Sequence, residues 1–86
     1  MNGSYVLKIV TPTDVFLEKK VVSLIAPGAL GYFGVLRNHA AYVTTVGSGN
    51  LTVRDETGKT DSYKVSGGFF EVRGNRALLL TDSISG

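Results

Sequence analysis

Residues Asn50 to Val65 read NLTVRDETGKTDSYKV, and this stretch decides the fold. Leu51 and Val53 alternate with polar neighbours, and alternation resumes after Lys59. Between the two runs lies Glu56-Thr57-Gly58. A glycine at the tip with alternating apolar residues on both sides is the pattern of a β-hairpin, predicting strands over Asn50 to Asp55 and Lys59 to Val65 with Leu51 and Val53 facing inward.

Outward from that hairpin the same grammar repeats. Towards the C-terminus, FFEVR at Phe69 to Arg73 is strand material, Gly74-Asn75 is a tight turn, and Arg76 to Thr81 closes with Ala77-Leu78-Leu79-Leu80. Paired glycines in Ser66-Gly67-Gly68-Phe69 mark a bulge or the close approach of another backbone. Towards the N-terminus, Tyr5 to Thr11 alternates, with Tyr5, Leu7 and Ile9 on one face and Lys8 on the other. Thr11-Pro12-Thr13-Asp14 is a turn, since proline removes a ladder donor. Val15 to Ala26, interrupted by Glu18-Lys19-Lys20, reads as two short strands or one bent one, and Ala41 to Val46 adds another. No window carries a helix-period stripe of ten or more residues. These signals predict an all-β fold, a small β-sandwich or flattened barrel of about eight to ten short strands, as one domain over residues 1–86.

Composition bounds the chemistry. Eighty-six residues bury only roughly 60 to 65% of the unfolded surface, so a deep catalytic cleft would consume much of the core. The chain is 43% hydrophobic and 9% aromatic, as in globular rather than disordered proteins. With no cysteine, disulfides and thiolate metal sites are excluded. The net charge is +2 and the pI about 9.1. The nine basic residues are nevertheless scattered among seven acids, and only Lys19-Lys20 are adjacent. No stripe that would track a phosphate backbone is visible, so no nucleic-acid partner is expected. A small nucleic-acid-binding β-barrel is the alternative reading, on size, strand content and pI. No apolar run approaches the roughly 20 residues that span a bilayer, and the N-terminus lacks the pattern of a secretion signal.

The stretch GYFGVLRNHA, Gly31 to Ala40, is the chemically conspicuous one. Gly28, Gly31 and Gly34 are spaced by three, but a P-loop ends in Gly-Lys-Ser/Thr before a helix and a dinucleotide fingerprint needs a βαβ unit; neither is present. The glycines read instead as a loop that turns sharply and presents Leu30, Tyr32 and Phe33. His39 is the single histidine; with no cysteine to activate and no paired carboxylates nearby, it is read as a loop or packing residue rather than a general base. No catalytic residues, metal ligands or cofactors are expected.

The spaced motifs together resemble a known family. Leu7-x-Ile9-Val10-Thr11-Pro12, then Pro27-Gly28-x-x-Gly31-x-x-Gly34-Val35-Leu36-x-x-His39-Ala40, Gly49, Ser66-Gly67-Gly68-Phe69-x-Glu71-Val72 and Leu80-Thr81-Asp82 are similar, in order and distance, to the N-terminal β-sandwich of the epsilon subunit of the rotary ATP synthase. The resemblance spans nearly the whole chain. Two departures stand out. Arg37 and Ala41 occupy places where family members commonly carry proline, and the family's C-terminal helical hairpin is not expected in this chain.

That resemblance implies a non-catalytic rotor subunit at the foot of the central stalk. Its partners would be the gamma subunit and the polar loops of the c-ring, and its role to couple ion flow to ATP synthesis. It would be a peripheral protein on the cytoplasmic face of the bacterial inner membrane, held there only through the complex, and without the family's inhibitory arm. Tyr32, Phe33, Arg37, Asn38 and His39 are expected to form the rotor contact, since aromatics give contact area at low entropic cost and arginine gives directional bonds.

Overall fold

The computed structural model describes residues 3–86. Seven strands follow one another: β1 (Tyr5–Val10), β2 (Val15–Gly28), β3 (Gly31–Leu36), β4 (Tyr42–Thr45), β5 (Gly49–Asp55), β6 (Thr60–Arg73) and β7 (Arg76–Ser85). The sheet order is β1-β7-β6-β5-β2-β3, with β4 on β6, and a β1–β2 pairing closes the ring. All pairings are antiparallel except β1 with β7, which run parallel from Val6 opposite Arg76 to Val10 opposite Leu80.

The strands number seven rather than eight to ten because β2 and β6, each of 14 residues, run through places where the sequence suggests a break. In β2 the charged triplet does not interrupt pairing. Glu18 and Lys20 point to solvent while Lys19 reaches Asp61 at 3.5 Å, and the irregularities flank the triplet, one where Ile9 and Val10 face Leu17 and Val15 and one between Val21 and Ser23. In β6 the bend is at Gly67-Gly68, with φ of 72° and 127°. A Cβ on Gly68 would fall on the Leu80 carbonyl oxygen. The position therefore demands glycine for both its torsion and its space.

These bends sort the chain into two layers. The front layer holds the first half of β2, then β1, β7, the second half of β6, and β4; the rear layer holds β3, the second half of β2, β5 and the first half of β6. Between them lies the core, including Leu7, Ile9, Val21, Leu24, Val35, Leu51, Val53, Phe70, Val72 and Leu79. The hairpin read from Asn50 to Val65 is present, with Leu51 and Val53 both 1% exposed. Tyr5 joins the core because its hydroxyl donates to the Val35 carbonyl at 2.8 Å, which satisfies the one polar atom it buries.

Candidate partner-binding surface

The stretch expected as a loop is half strand. Gly31 to Leu36 forms β3, paired along its length with Gly28 to Ser23 of β2. The loop proper runs from Arg37 to Ala41. Gly31, at φ 125°, closes a two-residue turn over Ala29 and Leu30, whose leucine side chain is wholly exposed. Gly34 is extended and packs in the ladder, so only the first of the two glycines does the work of a turn.

This geometry separates the five expected contact residues. Tyr32 and Phe33 are consecutive in a strand and face opposite ways. Tyr32 is outward and 59% exposed, and its hydroxyl accepts from the Asn50 amide at 3.1 Å, beside Gly49. Phe33, expected at the contact surface, instead turns inward. Its ring lies 5.1 Å from Phe70 and 5.5 Å from Tyr42, half-buried against the core. The reason is register: Phe33 sits opposite Ala26 on the inner face.

Arg37, Asn38 and His39 lie at the other end of β3, about 16 Å along the strand from Tyr32 at 3.3 Å per residue. The Leu36–His39 turn closes with a His39 amide bond to the Leu36 carbonyl at 3.2 Å, and Asn38 takes the left-handed position at φ 65°, which asparagine tolerates. The Asn38 amide donates to Asn75 Oδ1 at 2.8 Å, tying the loop to the β6–β7 turn. Arg37 lies over Gly3. The His39 ring is half-buried, 5.9 Å from Tyr42, with Nδ1 2.7 Å from the Ala40 carbonyl.

The structure also exposes a surface that no single stretch of sequence displays. On the outer side of the front layer, Leu80 stands opposite Val10 on β1 and Phe69 on β6, with Val43 diagonally across on β4, opposite Glu71. Val43 is 55% exposed, Phe69 42% and Leu80 41%. Gathered on one sheet face, apolar side chains at this exposure make a candidate protein contact. A groove lined by Val10, Thr11, Pro12, Gly68, Phe69, Leu80, Thr81 and Asp82 runs beside them.

Residues 4–85 match the family described as the β-sandwich domain of the ATP synthase delta/epsilon chain. The chain belongs to that family. Over 84 residues it is 40% identical to the ATP synthase epsilon chain of Chlorobium limicola, covering 98% of this chain and 96% of that one. The epsilon chain of Desulfatibacillum aliphaticivorans is 37% identical over 83 residues, covering 96% of this chain and 59% of its own length. Among solved structures, a chain in the cryo-EM structure of the Euglena gracilis mitochondrial ATP synthase, OSCP/F1/c-ring in rotational state 1, superposes with a TM-score of 0.90 at 28% identity, over 94% of this chain and 52% of that one. A chain in the Tetrahymena thermophila mitochondrial ATP synthase central stalk/c-ring shares the fold alone, at TM-score 0.79 and 13% identity.

Membership makes the chain a structural or regulatory ATP synthase subunit rather than a catalytic one. The epsilon-family sandwich has no helix long and apolar enough to cross a membrane among its described residues. The functional question therefore concerns surfaces, and the residues missed by sequence reasoning, Val43, Phe69 and Leu80, are ones whose exposure depends on cross-strand register.

Proposed function

We propose that this chain is the rotor subunit linking the gamma subunit to the polar loops of the c-ring, and so couples ion flow to ATP synthesis on the cytoplasmic face of a bacterial membrane. The family match over residues 4–85 carries this reading. The exposed apolar face supports it, because a subunit that turns with its partner needs a dry, well-packed contact. Gamma is assigned to the front-layer face around Val43, Phe69 and Leu80, extended by Arg37, Asn38 and His39. Phe33 supports that region from beneath through Tyr42, while Tyr32, on the opposite outer face, is assigned to the c-ring loops and not to gamma.

Co-expression of the chain with gamma from the same source tests the reading. A stable complex should co-purify, and Phe69→Ser with Leu80→Ser should release it while leaving a β-sheet circular dichroism spectrum intact. A folded wild-type chain that does not bind gamma would overturn the function. Retained binding by the double variant would overturn the assigned face.

A further inference from the structure

One end of the same front face is a row of cations that the sequence disperses. Register places Lys20, Val6, Arg76 and Arg73 side by side across β2, β1, β7 and β6. Arg73 and Arg76 stand directly opposite each other on adjacent antiparallel strands, where like charges repel. Glu71 relieves this on one side only, at 3.6 Å from Arg73. Among the described residues no carboxylate comes within ion-pair distance of Arg76, Lys8 or Lys20. The next row reads Glu18, Lys8, Leu78, Glu71 and Val43. Val6, Ala77 and Leu78, with Lys8, Glu71, Arg73 and Arg76, line a groove of about 310 Å³.

The fold thus tolerates a repulsive arginine pair beside an aliphatic groove, in continuity with the apolar face. Carboxylates would neutralise that pair with forked, charge-assisted bonds. A nucleic acid fits less well, since the groove holds no aromatic side chain on which a base would stack. We propose that Lys20, Arg73 and Arg76 form an electrostatic docking site for an acidic protein segment whose apolar residues continue onto Leu78, Leu80 and Phe69. Resting on the function proposed above, the segment is assigned to the gamma subunit.

Exposed charges steer association more than they hold a complex together. Binding kinetics of the chain with its gamma subunit, at about 50 mM and about 500 mM salt, test the site. The variants are Arg73→Gln with Arg76→Gln, Arg73→Glu with Arg76→Glu, and Arg54→Glu with Lys64→Glu on the rear outer face as control. The wild-type association rate should fall steeply with salt. The Glu pair should associate about tenfold or more slowly at low salt, with dissociation changed much less, and the control pair should behave as wild type. The Gln pair should melt no lower than wild type, because relief of the like-charge pair offsets loss of the exposed Arg73–Glu71 contact.

Salt-insensitive association, or equal slowing by the control pair, would overturn the site while leaving gamma binding intact. A lower melting temperature for the Gln pair would assign the cations to folding instead. Tight, salt-dependent binding of a single-stranded oligonucleotide that is lost in the Glu pair would reassign the row to nucleic acid. No wild-type binding to gamma at any salt would overturn the function and the site together.

Discussion

Tyr5 shows how one buried polar atom ties stability to pH. Burial raises its pKa well above the ordinary tyrosine value of 10.0, and the neutral hydroxyl is the form that donates to Val35. With the folded value above the unfolded one, the contribution is fully present below pH 10 and is lost as pH rises beyond it. Urea midpoints should therefore fall at alkaline pH. Tyr5→Phe should lose about 1–2 kcal/mol at neutral pH, by removing the buried hydrogen bond to Val35, and should flatten the alkaline decline. Asp55 works in the opposite direction. Its carboxylate accepts from the Thr57 hydroxyl at 2.7 Å and from the Thr57 and Lys59 amides, and the Thr57 hydroxyl bond chiefly lowers its pKa below 3.8. A lowered folded value means stability present above the unfolded pKa and lost as pH falls through the folded one. Asp55→Asn should make acid unfolding below about pH 4 shallower, read by circular dichroism against pH.

At the scale of elements, β3 is where reading and structure part company. The β5–β6 hairpin is legible because alternation and a tip glycine are both local signals. In β3 two glycines look alike in sequence, yet only Gly31 has positive φ, and the ladder to β2 that makes Gly34 a strand residue comes from another part of the chain. The same non-locality left β2 open between one bent strand and two, and hid the continuity of β6 and the front-face patch, where Phe69 meets Leu80 only through register. The composition of the candidate loop around His39 was legible; which of its side chains face out was not. Tyr32 and Phe33 make that division measurable. Phe33→Ser should cost about 2–3 kcal/mol, a fraction of the penalty for a fully buried ring. Tyr32→Ser, losing one exposed hydrogen bond, should cost about 1 kcal/mol or less. Equal losses in chemical denaturation would contradict the opposed facing of the two rings.

On the scale of the whole molecule, the parallel pairing of β1 with β7 fixes when the structure can form. β7 lies between β1 and β6, so the last strand in the chain must insert beside the first, with Leu7 against Ala77 and Ile9 against Leu79. Until it does, the β1–β2 hairpin carries an open edge with unpaired amides and carbonyls, and β6 lacks its longest neighbour. Such non-local closure is entropically late and slow, placing refolding in the range of about milliseconds to seconds. Stopped-flow refolding should show one dominant phase without a stable partial sandwich. Ala77→Gly should chiefly accelerate unfolding if insertion follows the rate-limiting barrier, and chiefly slow refolding if insertion is the barrier. Until that insertion the refolding chain is a template for strand addition by its neighbours, so its yield on refolding should fall as protein concentration rises, a vulnerability that ends when β7 closes on β1.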